Sequence, residues 1–248
     1  MKVSEISLSV IMPVYNEQEN IKFAIEQTVL ELNKFNKSEI IIINDGSTDG
    51  TNKKLMDLQK KYKEITIIQH NKNQGLGKSL QDGFLKASND YIIFNSADLP
   101  LAPKDIMRVL EQKYPFDLLV LERKKYLGAS LYRKFISVCN RVILHIFFPL
   151  SLIEIADCNF TIFFKRQYLK YIFPVSKSPG FILVEMILKA KYLKYNVKTV
   201  TVDYNARKYG NTIIGGLKDI FESFYNIIYF RFYSFFIIMR KNENNIGN

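Results

Sequence analysis

The sequence contains very few of the residues that define disulfide-rich or zinc-binding proteins. Its 248 residues include two cysteines, Cys139 and Cys158, two histidines and no tryptophan. Two cysteines give no disulfide framework and no zinc-ligand spacing, so we expect both to be small apolar residues in a reducing compartment. No basic-then-apolar leader precedes the first apolar segment, so the folded part is expected to stay in the cytoplasm.

An uncharged apolar run long enough to cross a bilayer is also missing. Residues 221–239 include nine Phe or Tyr residues, but also Glu222 and Arg231, and only eight uncharged residues follow Arg231. A membrane-spanning helix needs about 20 apolar residues. We therefore expect an amphipathic helix in the membrane interface, with Arg231 snorkelling to the head groups. Residues 143–153, interrupted at Pro149, could form a second interfacial element, and the alternative for 221–239 is a core or oligomer-interface helix.

Negative charge is scarce in the second half of the chain. Residues 1–124 contain 17 Lys and Arg against 17 Asp and Glu, whereas residues 125–248 contain 18 against 7, so the net charge of +11 arises there. A basic, aromatic surface fits either nucleic acid or an anionic membrane. The long apolar helical runs in the same half favour a membrane surface over nucleic acid.

Two short apolar segments, each ending in polar residues, are the most informative pattern present. Residues 8–16 read LSVIMPVYN, and residues 39–49 read EIIIINDGSTD. Buried parallel strands look like this where their carboxyl ends open into a binding crevice. The polar groups at these strand ends suit a nucleotide base and ribose, and they are Tyr15, Asn16, Glu17, Asp45, Ser47 and Asp49.

Strand and helix patterns alternate along the first 125 residues. This alternation predicts an α/β fold with a right-handed, doubly wound, mostly parallel twisted sheet and flanking helices. The predicted strands are 7–12, 39–43, 65–69, 91–94, 117–121, 161–164 and 197–202. The predicted helices are 17–35, with Asn16 as its N-cap, 49–62, 76–87, 103–112, 130–148 and 182–193, followed by an ordered loop at 203–212 and an apolar extension at 215–241.

Five ordered segments resemble the family 2 glycosyltransferases, which have the GT-A (Rossmann-like) fold. They are PVYNE with NDGSTDGT, NQGLGKSLQDG at 73–83, NSADLPLAP at 95–103, the set Arg133, Ser137 and Asn140, and the pair Arg207 and Gly210. Within the family, the pattern is most similar to polyprenyl-phosphate synthases of the dolichol-phosphate mannose type. The resemblance implies a catalytic domain at 1–213, with a nucleotide-sugar half at 1–125 and an acceptor half at 126–213. A membrane-interface helix and tail are expected at 214–248.

The resemblance also implies a donor site. Pro13, Tyr15, Glu17 and Asp45 would line the base and ribose slot, together with Asn16 and Ser47. Asp49 also fits an ordinary N-cap of the following helix. Gly75 and Gly77 would permit a tight turn whose backbone N–H groups could bind phosphate. The alternative is that these glycines only mark the start of a helix.

The metal motif departs from the family pattern. The synthases show DADLQ, whereas this chain has Ser96, Ala97, Asp98, Leu99 and Pro100, so Asp98 alone remains of the usual ligands. One carboxylate with the donor diphosphate can still hold Mg²⁺ or Mn²⁺, because Mg²⁺ keeps several waters. The alternatives are a metal-poor or inactive member of the family, or Asp98 as a turn former.

An acceptor site rich in arginine is the second implication. By resemblance, Arg123, Arg133 and Arg207, with Ser137, would hold the lipid phosphate and the transferring group, since guanidinium groups match phosphate oxygens. A phosphate monoester has a second pKa near 6 and needs no general base, unlike a sugar hydroxyl.

Other charged and titratable residues receive no catalytic role from the sequence. His70 and His145 are expected to be structural, and Arg141 and Lys134 to lie on a helix surface or to contact lipid head groups. Asp157 does not align with the family acid, while Glu185 would contact the sugar or pair with a nearby base.

The sequence thus predicts an inverting glycosyltransferase that moves a sugar from a nucleotide sugar to a polyprenyl (undecaprenyl or dolichyl) phosphate. It would be peripheral or monotopic on the cytoplasmic side of the membrane, with no nucleic-acid partner. A homo-oligomer or a membrane-protein partner stays open. The alternatives are extension of a surface polysaccharide at a sugar hydroxyl and a non-catalytic nucleotide- or lipid-binding homologue.

Overall fold

A computed structural model describes residues 5–110, 115–124, 131–205 and 217–246, with the side chains of 131–135, 217–218 and 235–246 outside the description. A seven-stranded sheet organises these residues, in the strand order β3-β2-β1-β4-β6-β5-β7. The strands are β1 (Ser7–Val14), β2 (Lys37–Asn44), β3 (Ile65–Gln69), β4 (Tyr91–Phe94), β5 (Leu118–Arg123), β6 (Thr161–Lys165) and β7 (Val197–Val202).

Helices connect the strands and cover both faces of the sheet. They are α1 (Ile21–Leu32), α2 (Thr51–Lys61), α3 (Leu76–Lys86), α4 (Pro103–Leu110), α5 (Leu131–Phe147), α6 (Pro149–Leu152), α7 (Leu169–Ile172), α8 (Ile182–Tyr192) and α9 (Leu217–Ile246). The mostly parallel α/β sheet with flanking helices that the sequence predicts is confirmed.

Strand β6 is the one described strand that runs against the others. It pairs antiparallel with both β4 and β5, while β1, β2, β3 and β4 pair in parallel, as do β5 and β7. The carboxyl ends of β4 and β5 therefore lie at the same edge of the sheet. The direction of β6 was not predicted from the sequence, because the apolar pattern of a buried strand carries no information about its direction.

The isoleucine run of β2 shows how the sheet separates two apolar layers. Ile40 and Ile42 pack into the layer formed with α1, α2 and α4, whereas Ile41 and Ile43 pack into the layer formed with α3, α5, α8 and α9. Because successive side chains of a strand point to opposite faces, a strand covered on both sides is apolar throughout.

Helix α1 begins four residues later than the sequence pattern predicts. Its N-cap residue is Asn20, not Asn16. Asn16 has a φ of +53°, in the left-handed region that asparagine tolerates, and its side-chain Oδ1 accepts a hydrogen bond from the Thr48 N–H at 2.8 Å. Asn16 therefore joins two loops instead of starting a helix.

Helix α9 packs one face onto the body of the protein. The Phe230 ring lies 5.7 Å from Phe181, 6.1 Å from Phe148 and 6.2 Å from Tyr192, measured between ring centroids. Across the part of the chain that the structure describes, no helix combines the length and apolar character that crossing a bilayer requires. The proposed domain boundary at 213/214 lies outside the described residues and stays a prediction.

Candidate active site

The carboxyl ends of β1, β2 and β4 meet at one edge of the sheet. Strand β1 lies between the other two, with Pro13 in register with Ile43, so the loops that follow the three strands are neighbours. The predicted donor residues on these loops are thereby brought to the same edge. They are Tyr15, Asn16 and Glu17 after β1, Asp45 and Ser47 after β2, and Ser96 and Asp98 after β4.

The loops after β1 and β2 are fastened by side chains. The Asn16 N–H donates to the Ser47 hydroxyl at 3.0 Å, and the Glu17 N–H donates to the Thr51 hydroxyl at 2.9 Å. The Glu17 carboxylate accepts a hydrogen bond from the Asn20 side-chain amide at 2.6 Å. These contacts fix the backbone around the half-buried Tyr15 ring, so the two loops at this edge of the sheet are preformed.

Asp49 has the structural role that its sequence position allows. Its carboxylate accepts hydrogen bonds from the Thr51 N–H at 2.9 Å and the Gln18 N–H at 3.3 Å. Burial alone would raise the pKa of Asp49, but the hydrogen bonds from Thr51 and Gln18 outweigh it and lower that pKa. The group thus stays ionised at neutral pH and holds the start of α2.

The buried Asp45 carboxylate is held almost entirely by protein donors. Its Oδ1 lies 2.7 Å from His70 Nδ1 and accepts from the Gln74 N–H at 2.8 Å, and its Oδ2 accepts from the Gly75 N–H at 2.8 Å. A carboxylate offers about four lone-pair positions. Asp45 therefore fixes the loop before α3 and keeps about one position for a further hydrogen bond.

His70 connects Asp45 to helix α3. Its Nε2 lies 3.0 Å from Asp82 Oδ2, and the other oxygen of Asp82 pairs with Lys78. With both ring nitrogens facing carboxylates and the ring buried, His70 acts as a structural bridge, as the sequence predicts.

Gly75 and Gly77 are glycines for two different reasons. Gly75 has a φ of +88°, and its N–H donates to Asp45, so that amide is already engaged. Gly77 lies in the first turn of α3, where an added Cβ would stand 2.0 Å from the carbonyl oxygen of Lys177. The first glycine provides a backbone conformation and the second provides space; phosphate contact at either one stays a prediction.

The turn after β4 presents the candidate metal ligand. The Ser96 hydroxyl donates to Asp98 Oδ1 at 2.6 Å and so orients that carboxylate. Leu99 follows with a φ of +48°, a conformation that a leucine adopts only under constraint. The constraint comes from the buried Asn95, whose side-chain amide donates to the Leu101 carbonyl at 2.8 Å, and from the Asn205 N–H, which donates to the Pro100 carbonyl at 3.0 Å.

The donor set at this turn fits a hard cation only with help from a substrate. Among the described residues, no group of three or more His, Cys, Asp or Glu side chains is arranged so that it could hold a metal ion. One carboxylate and one hydroxyl supply oxygen ligands of the kind that Mg²⁺ and Mn²⁺ prefer, and a diphosphate would complete the set.

Arg123 lies at the carboxyl end of β5 and is paired with an acid. Its Nε donates to Asp157 Oδ2 at 2.6 Å and its terminal nitrogen to Oδ1 at 3.0 Å, a bidentate contact. The guanidinium carbon lies 5.3 Å from the Phe160 ring centroid and 5.7 Å from that of Tyr204. Arg123 is thus at the predicted edge, but much of its hydrogen-bonding capacity serves Asp157.

The other predicted acceptor residues are only partly visible. Ser137 lies half-buried on α5, and the backbone of Arg133 lies in the same helix, while the Arg133 side chain and all of Arg207 fall outside the described residues. The roles of Arg133 and Arg207 therefore stay predictions.

Sequence reasoning missed the partners of Arg123. Glu122 accepts a hydrogen bond from the Ala156 N–H at 2.6 Å and thereby places the loop that carries Asp157. Phe160 and Tyr204 enclose the guanidinium from two other segments. In the local sequence, this arrangement is indicated only by the adjacent Glu122 and Arg123 at the end of β5. The other contacts of Arg123 join residues that are far apart in the sequence.

Comparison with known proteins places the chain in a family. Residues 9–168 match the model of Glycosyl transferase family 2. A dolichol-phosphate mannosyltransferase of Pyrococcus furiosus is 32% identical over 224 residues, which are 88% of this chain and 61% of that protein. An undecaprenyl-phosphate 4-deoxy-4-formamido-L-arabinose transferase of Pectobacterium atrosepticum is 36% identical over 107 residues, 42% of this chain and 33% of that protein.

Solved structures share the fold at low sequence identity. Glucosyl-3-phosphoglycerate synthase from Mycobacterium tuberculosis, in complex with Mn²⁺, UDP and phosphoglyceric acid, superposes with a TM-score of 0.64 at 15% identity, covering 90% of this chain and 76% of that one. The chain spans about three fifths of the Pyrococcus relative and one third of the Pectobacterium relative. The matched family model and the relatives show that this chain belongs to glycosyltransferase family 2, and the solved structures show that it shares their fold.

Proposed function

We propose that the chain transfers one sugar, with inversion, from a nucleotide sugar to a polyprenyl phosphate at the cytoplasmic face of a membrane. The observation that carries this proposal is an exposed apolar surface that begins on α5, the helix that holds Ser137. On α5, Val138, Val142 and Ile146 recur at four-residue spacing and are exposed, Ile146 by 69%. A soluble monomer rarely leaves a continuous apolar stripe uncovered.

The stripe on α5 continues onto α6 and α9. Leu150 on α6 is 90% exposed, and the Phe147 ring lies 6.4 Å from Phe224 on α9. The outer face of α9 carries Phe221 and Phe232, both exposed. We call the exposed apolar and aromatic residues of α5, α6 and α9, with Ile153 directly after α6, the apolar face: Val138, Val142, Ile146, Leu150, Ile153, Phe221, Phe224, Tyr225, Tyr229, Phe232 and Tyr233.

Aromatic and basic residues make the apolar face suitable for a lipid surface. Tyr225, Tyr229 and Tyr233 stack along α9 at centroid distances of 6.3 and 5.9 Å. Arg141 and Arg231 are exposed on the same two helices. Tyrosine rings favour the head-group region, and each nearby cation adds about 1 kcal/mol on an anionic membrane.

The state of the described acids and bases favours a phosphate acceptor over a sugar hydroxyl. A hydroxyl must be deprotonated by a positioned base. In the described ranges, both ring nitrogens of His70 face carboxylates, His145 Nδ1 lies 2.8 Å from the Arg141 carbonyl oxygen, and Asp157 is bound by Arg123. An acceptor that is already anionic avoids the need for such a base.

Residue roles follow from position at the strand edge. The base and ribose would lie against the loops after β1 and β2, with one hydrogen bond available from Asp45. The Asp98 carboxylate, oriented by Ser96, would hold the cation, which when bound neutralises charge on the departing diphosphate. Arg123 would share its guanidinium between Asp157 and the acceptor phosphate. The full proposed set is Pro13, Tyr15, Asn16, Glu17, Asp45, Ser47, Gly75, Gly77, Ser96 and Asp98 for the donor, and Arg123, Arg133, Ser137 and Arg207 for the acceptor.

The names of the relatives support this assignment. One is a dolichol-phosphate mannosyltransferase and the other an undecaprenyl-phosphate aminosugar transferase. Both names describe transfer involving a polyprenyl phosphate, although each relative is longer than this chain.

A transfer assay tests the proposal directly. Purified protein is incubated with radiolabelled nucleotide sugars, Mn²⁺ and vesicles that contain undecaprenyl or dolichyl phosphate, and lipid-extractable label is counted. We expect label in the lipid phase, and none when the matching polyprenol, which lacks the phosphate, replaces the acceptor. Equal transfer to polyprenol, or product only on a soluble glycan, would contradict the proposal.

A further inference from the structure

Residues 173–181, between α7 and α8, contact helices α3, α8 and α9. This segment, FPVSKSPGF, is buried at Pro174, Ser176 and Ser178. It meets α8 and α3 on one side and α9 on the other. The proposed donor site and the proposed membrane surface therefore share a neighbour.

Helices α8 and α3 hold the first half of the segment. The buried Glu185 carboxylate accepts from the Val175 N–H at 2.9 Å and the Ser176 N–H at 2.8 Å. Lys189 pairs with Glu185 and donates to the Phe173 carbonyl, both at 2.6 Å. From α3, the Gln81 side-chain amide donates to the Pro174 carbonyl at 3.0 Å.

The segment then lies directly against the first turn of α3. The Lys177 carbonyl is so close to Gly77 that no side chain fits between them. The residues just before this turn, Gln74 and Gly75, are the ones that donate to the Asp45 carboxylate. A shift of the segment would therefore move the start of α3 and the loop that Asp45 holds.

The second half of the segment is bonded to α9. The Ser178 and Ser223 hydroxyl oxygens lie 2.7 Å apart, and the Ser223 hydroxyl donates to the Asp219 carbonyl at 2.6 Å. Ser178 is consequently the donor of the pair. Gly180 also packs here, because a Cβ at this position would stand 2.4 Å from the Ser223 hydroxyl oxygen.

We propose that the 173–181 segment couples the docking of α9 on a lipid surface to the order of residues 72–80, which are the loop held by Asp45 and the first turns of α3. This inference rests on the proposed membrane attachment of α9. Docking on lipid would restrict the motion of α9. The Ser178–Ser223 hydrogen bond would then restrict the motion of the 173–181 segment. The contact of the Lys177 carbonyl with Gly77 would in turn restrict the start of α3. Gln81, Glu185 and Lys189 act as positioning residues that keep the segment rigid.

Hydrogen exchange tests the coupling without any substrate. Exchange of peptides covering 72–80 is followed by mass spectrometry, with and without vesicles of phosphatidylethanolamine and phosphatidylglycerol. We expect exchange there to slow by at least about fivefold on vesicle addition, the low end of typical coupling. Ser223→Ala and Ser178→Ala should each abolish this slowing while still binding vesicles in a sedimentation assay.

Ser234→Ala is the matched control. Ser234 is also buried on α9, but its hydroxyl donates only to the Arg231 carbonyl of the same helix at 2.9 Å. It should keep the wild-type response. The coupling is refuted if vesicles bind but exchange at 72–80 is unchanged, or if both serine variants respond like wild type. Absence of vesicle binding would refute the membrane attachment as well, whereas failure of lipid-linked transfer alone would refute only the proposed acceptor.

Discussion

Asp98 is the residue on which the proposed donor chemistry depends most. The Asp98 carboxylate is oriented by the Ser96 hydroxyl. A carboxylate in place of Ser96 would add negative charge at a cation site. Because ligand charge tunes cation affinity, Ser96→Asp should lower the Mn²⁺ concentration for half-maximal transfer by roughly tenfold. Asp98→Ala should reduce transfer by at least about 100-fold, since a bound cation contributes several kcal/mol. Unchanged metal dependence in the first variant, with a wild-type melting temperature, would argue against a cation at this turn.

Asp117 ties together the ends of three strands and should contribute to acid sensitivity. It accepts hydrogen bonds from the Asn196 N–H and the Lys165 ammonium, both at 3.0 Å. Burial alone would raise the pKa of Asp117, but the hydrogen bonds from Asn196 and Lys165 outweigh it and lower that pKa below its ordinary value. Its contribution to stability is therefore present above the unfolded pKa and lost as pH falls through the folded one.

The corresponding experiment compares melting temperatures at pH 7 and pH 3. Asp117→Asn should melt below wild type at pH 7, with a smaller difference at pH 3. Asp57→Asn is the control, because Asp57 forms only an exposed contact of 3.9 Å with Lys60. An equal deficit at both pH values would contradict the assignment.

The two cysteines should differ in reactivity. Burial, followed by the charges of Asp157 and Glu122, raises the pKa of the Cys158 thiol to about 12. The thiolate is the reactive form, and Cys139 is partly exposed. A colorimetric thiol reagent at pH 8 should therefore modify one thiol in the native protein and two after denaturation. Cys139→Ser should remove the native reaction, and two rapid native thiols would contradict the expectation.

At the scale of elements, the contact between α3 and the 173–181 segment should limit substitution. Gly77→Ala would place its Cβ 2.0 Å from backbone, whereas Gly50→Ala would meet only the end of the Gln18 side chain at 2.7 Å. Overpacking against rigid backbone costs about 1–3 kcal/mol. Denaturant unfolding should show a loss in this range for Gly77→Ala and a smaller one for Gly50→Ala. Equal losses would mean that the segment moves aside freely.

The elements also show how far the sequence determines the fold. The bounds of β3, β4 and β7 match the prediction, because apolar runs bounded by turn residues define short strands. The start of α1 did not match, since Asn16 is used by Thr48, 32 residues away in sequence. The direction of β6 was also missed, because strand pairing depends on how distant segments assemble.

At the scale of the whole molecule, the apolar face and the strand edge together determine the proposed activity. Fully burying a Phe side chain contributes about 1.5–3 kcal/mol. Phe232→Ser, on the 72%-exposed Phe232, should therefore weaken binding to anionic vesicles by about tenfold. Phe23→Ser is the control, since Phe23 is exposed on α1, across the sheet from α9. Equal effects in sedimentation would show that the apolar face does not bind lipid.

The candidate site was predictable from sequence only in outline. Strand-end residues such as Asp45 and Asp98 could be assigned to one edge, because parallel strands bring their carboxyl ends together. The engagement of Asp45 by His70 and Gly75, and of Arg123 by Asp157, could not be read from the sequence. Each depends on loops that approach only after the sheet has formed.

The stacked tyrosines of α9 give the protein an intrinsic optical probe. With no tryptophan in the chain, its ultraviolet emission comes from tyrosine, and Tyr225, Tyr229 and Tyr233 form a close-spaced set on the outer face of one helix. Energy can pass between neighbouring rings at such spacing, so the polarisation of emitted light depends on how the three are held. These three rings are among 15 tyrosines in the chain, so the part of the fluorescence that reports on this helix is the part removed when all three are replaced by phenylalanine.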